Sequence, residues 1–305
     1  MQLAPIIIFT YRRVTTLQML VRSLLKNPEA SSSEVYFFCD GSKGDEDAAD
    51  VHDVQEFVKQ VSGFRQIHLH FSESNKGLAR SVIKGVSEVL KKHENAIVIE
   101  DDLEVSANFL SFMNQSLDRY KNSHAVYSIS GYCFDLKVKV KEDVDAYFLN
   151  RGWSWTWATW RDRWETVDWE VKDYAAFSGN KSQRKAFSEL GSDVNLMLDR
   201  QMNGQIDSWA IRWVYQQFKV QGLTLYPKVS KVYNHGFDEV ATHNVGSNRR
   251  YITFIDKSTR RHFEWPKEVV VTEEYQRAFK RKMSIAQRIV SRLESLWVQL
   301  KRKWK

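Results

Sequence analysis

The first hundred residues constrain the fold most, because strand-like and helix-like runs alternate there. Pro5–Thr10 is a short apolar run rich in β-branched residues, as expected of a strand buried on both faces. Thr15–Leu25 follows with Leu17, Leu20, Val21, Leu24 and Leu25 at helical spacing, and Asn27-Pro28 stops it. Val35–Cys39 reads as a second strand, closed by the turn Asp40-Gly41-Ser42. Val51–Val61 is a second amphipathic helix and Ile67–Phe71 a third strand. After the turn Ser74–Gly77 come a helix over Leu78–Leu90 and a strand over Ala96–Ile99. This alternation predicts an α/β fold whose mostly parallel sheet carries helices on both faces. Ligands of such sheets bind beyond the carboxyl ends of the strands. The polar turns Tyr11–Arg13, Asp40–Ser42 and Glu100–Asp102 fall at those ends.

The second half is less regular. Residues 151–169 hold six of the eleven tryptophans. Trp153, Trp155 and Trp157 alternate like one face of a strand, whereas Trp157, Trp160 and Trp164 have helical spacing. Core packing accounts for most of them, with one or two left to meet a sugar ring. Residues 181–203 and Trp209–Phe218 suggest helices, and Tyr226–Tyr233 a strand. Residues 234–248 are polar and glycine-containing, and read as a mobile loop.

A chain of 305 residues is long enough for one large α/β domain or two small ones. Its two cysteines, Cys39 and Cys133, cannot make a disulfide framework or a Cys-rich zinc site, which suits a reducing compartment. No apolar run reaches the length of a membrane span, and the N-terminus reads as a first strand instead of a signal peptide. Residues 277–305 carry ten basic side chains against one acid, Glu294, while residues 1–276 carry 35 basic against 37 acidic. The basic character therefore belongs to the tail, and nucleic acid is not an expected partner of the body.

The triplet Glu100-Asp101-Asp102 follows directly on an apolar strand. Carboxylates clustered on so stiff a support repel one another unless a cation neutralises them. Mg²⁺ or Mn²⁺ would do so and keep positions open for phosphate oxygens. An acidic strand end facing water is the plain alternative.

Ile97 to Leu110, with this triplet inside it, resembles the DXD-type segment of GT-A glycosyltransferases. The likeness is to the branch shared by N-acetylglucosaminyltransferase I and bacterial family 2-like sugar transferases. Pro5–Arg13, Phe38–Ser42 and Asn75–Arg80 are similar to that group's nucleotide-binding half, and Gly152–Trp164 to its Trp-rich acceptor segment. The resemblance runs from about residue 5 to about residue 248. It implies a GT-A domain over 1–250, with a nucleotide-binding half over 1–105 and an acceptor half over 106–250. Residues 251–305 would be an extension bearing a basic amphipathic helix.

The same resemblance implies the roles. Asp102 would ligate the metal, with Glu100 and Asp101 lining the donor sugar and ribose. Asp40 would contact uracil, Arg13 would lie beside the nucleotide, and Arg80 near the diphosphate, with Lys76 in the same donor-binding set. A guanidinium can grip phosphate oxygens bidentately, and a carboxylate can accept from a base N–H. Asp40 equally suits an ordinary turn, and Arg13 and Arg80 equally suit the surface. Inverting transfer needs a base for the acceptor hydroxyl, and Asp207 falls where the family places it. Beside Trp209 in a partly dry site its pKa would rise, though Asp at a helix start is also a good N-cap. His235 is a further candidate metal ligand. His243, like His235, could reach the metal or the diphosphate when the loop closes, and Thr242, Asn244 and Arg249 are comparable phosphate candidates.

In the tail, Ile285, Ile289, Leu293, Leu296 and Leu300 lie on one helix face, flanked by Arg288 and Arg292, with Trp297 and Trp304 as aromatic anchors. A helix on an anionic membrane surface and a helix docked on the body both fit. These readings imply a Mn²⁺- or Mg²⁺-dependent inverting transferase. It would act on a UDP-type sugar and a glycan or lipid-linked acceptor in cell-surface polysaccharide or glycolipid synthesis. It would be cytoplasmic, with a peripheral contact on the inner face of the membrane. A sugar-phosphate nucleotidyltransferase would want a glycine-rich N-terminal phosphate loop, and residues 1–25 contain no glycine. A non-catalytic glycan-binding or membrane-docking protein would leave the acidic triplet and Asp207 without a role.

Overall fold

The apolar runs of the first half become four adjacent strands at one side of a single sheet. The computed structural model describes residues 2–138, 143–236 and 250–303, with side chains to residue 296. The first elements are β1 (Ile6–Thr10), α1 (Val14–Leu24), β2 (Glu34–Cys39), α2 (Asp45–Gln60), β3 (Gln66–Phe71), α3 (Leu78–Leu90) and β4 (Asn95–Glu100). They are the predicted elements in the predicted order, with α2 beginning six residues early. Next come β5 (Leu103–Val105), α4 (Phe109–Tyr120), β6 (Val126–Ser130), β7 (Ala146–Leu149), β8 (Trp157–Trp160) and α5 (Arg161–Trp164). They are followed by α6 (Tyr174–Gly179), α7 (Lys181–Ser188), α8 (Val194–Met202), α9 (Trp209–Lys219), β9 (Leu223–Pro227) and β10 (Val232–Asn234). Helices α10 (Glu273–Lys282) and α11 (Ile285–Lys303) close the chain.

Among the described residues the main sheet has eight strands, in the order β3-β2-β1-β4-β8-β6-β9-β7. β1 pairs in parallel with β2 and β4, and β2 with β3. β8 runs antiparallel to both β4 and β6, and β7 antiparallel to β9. The fold is thus mixed α/β with a mostly parallel sheet, as the alternation predicts. Alternate residues of β1 serve opposite faces. Ile6 and Ile8 join a core with Leu17, Leu20 and Phe112, while Ile7 and Phe9 join one with Val82, Val86, Trp157 and Trp213. Both faces are covered, which explains why the strand reads as unbroken hydrophobic sequence.

Two elements depart from the sequence pattern. The helix expected over 181–203 is two helices, α7 and α8, parted where Arg151 reaches in. Its guanidinium donates to Leu190 O at 3.1 Å and pairs bidentately with Asp193, 2.8 Å on each side. The strand expected over Tyr226–Tyr233 is likewise two. β9 stops at Pro227, and the chain resumes as β10, which pairs antiparallel with β5. The tryptophan spacings do not mark single elements: Trp153 and Trp155 precede β8, Trp157 and Trp160 lie on β8, and Trp164 lies on α5, with the last three buried.

Residues beyond 250 share the principal core, through Phe263, Tyr275, Phe279 and Met283. Tyr275 stacks on Tyr147 with ring centroids 3.7 Å apart. Among the described residues no helix is long and apolar enough to cross a membrane.

Candidate active site

The carboxyl ends of β1, β2 and β4 share one rim, and the residues just beyond them line a cleft of about 190 Å³. Asp101 and Asp102, both buried, form the turn between β4 and β5. Arg13, just past β1, spans them. Its Nη2 lies 3.0 Å from Asp101 Oδ1 and 2.9 Å from Asp102 Oδ2. The second oxygen of Asp101 accepts from the Thr10 hydroxyl at 2.9 Å and from the Tyr11 N–H at 3.2 Å. The resemblance implies Arg13 beside the nucleotide. It lines the cleft, with its charge turned onto the acidic pair, because buried carboxylates need a counter-charge.

One guanidinium faces three carboxylates. Burial first, and then the charges of Asp102 and Asp101, push Glu100 up to about 8. Burial likewise raises Asp101 to about 6, against the pull of Arg13. Asp102 Oδ1 is buried and has no hydrogen-bond partner among the described residues. An orphaned carboxylate oxygen beside two carboxyls whose pKa values burial has raised is a donor set that fits a hard divalent cation. Among the described residues no three His, Cys, Asp or Glu side chains converge as a complete protein-only metal site.

Asp40, at the end of β2, is occupied. Its Oδ1 accepts from Gly41 N at 3.0 Å and Lys76 N at 2.8 Å, and its Oδ2 from Gly77 N at 3.0 Å. It clamps the turn that starts α3, where Gly77 has a φ of +77° that favours glycine. A carboxylate oxygen has two lone pairs, so one site on Oδ2 is left for a base N–H. Lys76 and Arg80 line an adjoining cavity of about 410 Å³, which shares Phe38, Asp40 and Ser81 with the cleft. The structure thus gathers Arg13, Asp40, Glu100, Asp101 and Asp102 in one cleft and sets Lys76 and Arg80 next to it.

Because β8 runs against β4, its start lies at the carboxyl end of β4. That brings Trp155, two residues before β8, into the cleft wall. The β5–β10 ribbon brings the chain after Asn234 to the opposite side. His235 N donates to Asp102 O at 2.8 Å, and Gly236 lines the cleft. The His235 ring is hydrogen-bonded to Glu104, 3.0 Å from Nε2. Sequence reasoning missed Thr10, Lys43, Gly236 and the clamp on the 76–77 turn. Their partners lie tens of residues away, and no local pattern carries them.

Asp207 stands apart from the cleft lining. Its side chain is 63% exposed and pairs with Arg212 at 3.0 Å, so the dry surroundings expected beside Trp209 are not there. Nor is it the helix cap. Ser208 caps α9, accepting from Ile211 N at 3.3 Å, while Trp209 is buried against Trp157. Thr242, His243, Asn244 and Arg249 lie outside the described residues.

The profile of the family described as Glycosyl transferase family 2 matches residues 6–173, just over half of the chain. The chain belongs to glycosyl transferase family 2. That match spans every residue lining the cleft except Gly236. Solved structures give weaker likenesses to this family 2 chain. Staphylococcus aureus TarS is 16% identical over 48% of this chain and 24% of its own, with a TM-score of 0.31. The mannosyltransferase PcManGT of Pyrobaculum calidifontis, solved with GDP-Man and Mn²⁺, is 14% identical over 52% and 44%, at 0.35. HddC of Yersinia pseudotuberculosis is 12% identical over 52% and 78%, at 0.33. The chain thus spans less than half the length of the first two. No curated protein matches it.

Proposed function

We propose that the chain is a metal-dependent, inverting glycosyltransferase that moves a sugar from a UDP-type donor to a hydroxyl of a glycan or lipid-linked acceptor. The observation that carries this reading is the orphaned Oδ1 of Asp102, buried in a carboxylate turn with too little positive charge. Within the family, the order of motifs fits the branch shared by N-acetylglucosaminyltransferase I and bacterial sugar transferases.

Asp102 would hold Mn²⁺ or Mg²⁺, which when bound neutralises charge on a leaving diphosphate. Arg13 holds Asp101 and Asp102 in place for that task. Glu100 and Asp101 face the donor sugar and ribose, and the free lone pair of Asp40 Oδ2 accepts from the base. Lys76 and Arg80 extend positive charge along the adjoining wall. Asp207, paired with Arg212, takes the proton from the acceptor hydroxyl. His235 is a further ligand candidate through its ring. Residues 1–250 form the transferase domain, with nucleotide-binding (1–105) and acceptor (106–250) halves, and residues 251–305 an extension. The reading places the enzyme in the cytoplasm, in cell-surface polysaccharide or glycolipid synthesis, with a peripheral membrane contact through α11.

The test is release of UDP from a panel of UDP-sugars, with and without EDTA, on the wild type, Asp102→Ala and Asp207→Ala. Metal-dependent turnover lost in both variants is the expected result. Turnover indifferent to EDTA and to Asp102→Ala would overturn the reading.

A further inference from the structure

Helix α11 turns its apolar face away from the body. Ile285, Ile289, Leu293 and Leu296 lie along one side and are 64, 54, 61 and 54% exposed. The opposite side is small and polar, and that side docks. Ser291 is buried and accepts from Arg250 Nε at 3.1 Å. Arg288 Nη1 donates to Ser192 O at 2.9 Å, and the Ser192 hydroxyl donates to Met283 O at 2.6 Å. A terminal helix that only covers its domain buries its apolar stripe and leaves its polar side in water. Here the polar side is anchored and the apolar stripe is presented.

Charge indicates what the stripe meets. Residues 277–305 hold ten basic side chains and one acid, in a chain whose remainder is slightly acidic. Arg292 is exposed beside the stripe and has no ion-pair partner among the described residues. An aliphatic stripe flanked by cations matches the boundary of an anionic bilayer, where alkyl groups enter the acyl region and cations meet headgroups. A second copy of the chain would bring the same positive charge against itself. Four partly exposed aliphatic side chains also fall well short of the ~800 Å² per partner of a stable interface.

We infer that α11 lies in the plane of an anionic lipid surface, with Ile285, Ile289, Leu293 and Leu296 inserted and the body held by the Ser291 side. This deepens the peripheral contact of the proposed function. It rests on the geometry of the tail and not on donor chemistry.

The experiment is flotation of the full chain with phosphatidylcholine vesicles, with and without phosphatidylglycerol. The wild type should float with anionic vesicles only, and about 0.5 M salt should weaken that binding by screening. Leu293→Asp should lower partitioning roughly tenfold or more, Arg292→Glu should lower it, and Leu293→Phe should keep it. Thermal stabilisation by UDP with Mn²⁺ is read on the same samples, and Leu293→Asp should retain whatever shift the wild type shows. No binding of the wild type to anionic vesicles, unchanged binding of Leu293→Asp, or a dimer in sedimentation that Leu293→Asp dissolves would each overturn the inference. A nucleotide shift without vesicle binding sinks the tail assignment alone, and the reverse pattern sinks the donor reading alone.

Discussion

Gly236 lies so close to Asp102 that a β-carbon on it would stand 2.3 Å from Asp102 Oδ2 and 2.8 Å from Asn234 Oδ1. A side chain there must push the carboxylate away or bend the end of the β5–β10 ribbon. Gly236→Ala should therefore lower Mn²⁺ affinity by roughly tenfold to a hundredfold, the range for disturbed support of a metal ligand. Thermal melting should move by only a few degrees. Titration with Mn²⁺ measures the first and calorimetry the second, and wild-type affinity would mean that the close approach has no bearing on the site.

The acidic turn should couple cation binding to pH. Glu100 is raised to about 8 and Asp101 to about 6, both above their ordinary values. A raised carboxyl favours folding while it is protonated, and that advantage is lost as pH rises through its folded value. In EDTA, the melting temperature should therefore fall as pH rises from the ordinary carboxyl range near 4 to about 8, and Mn²⁺ should restore it. Binding should strengthen over the same window and release protons, which calorimetry in two buffers of different ionisation enthalpy detects. Affinity independent of pH with no proton release would contradict the assignment.

Asp207→Asn should leave nucleotide binding intact while transfer falls about a hundredfold or more, the usual contribution of a general base. Arg212 can still hydrogen-bond the amide, so the start of α9 should persist. Comparing the UDP dissociation constant with kcat separates the two effects. Full transfer by the variant would remove Asp207 from the base role.

The Arg151–Asp193 pair ties the tryptophan segment to α8, and Arg151 also sits 5.3 Å over the ring of Trp153. Asp193→Ala leaves a buried guanidinium unpaired and should cost about 3 kcal/mol. In the wild type, Arg151 holds Asp193 down at about 2 despite burial. The group's contribution is present above its ordinary value near 4 and is lost as pH falls from there towards 2. Denaturant melts at pH 7 and pH 2.5 should show the two proteins converging at the lower pH.

The nucleotide-binding half was legible because its information is local. Each strand and helix of residues 6–100 carries its own periodicity, and polar turns mark the strand ends. The acidic turn was legible for the same reason. What joins those turns was not. Asp40 meets Lys76 and Gly77, and Arg13 meets Asp101, only once the sheet has brought distant segments together. β5 and β10 have three residues each, too few for a pattern, so the ribbon behind Asp102 left no mark in the sequence. Periodicity found the stripe on α11 but not the direction it faces, because the anchors Ser291 and Arg288 depend on Arg250 and Ser192.

Because β8 runs against β4, residues 150–156 leave β7 at the edge of the sheet away from the cleft and enter β8 at the rim, where Trp155 packs against Tyr132 and Tyr251. Arg151 anchors the inner end of this segment on Asp193, so Trp155 is its position at the cleft wall. Replacing Trp155 alone should alter which acceptors are taken, while donor preference stays with the unchanged turns after β1, β2 and β4.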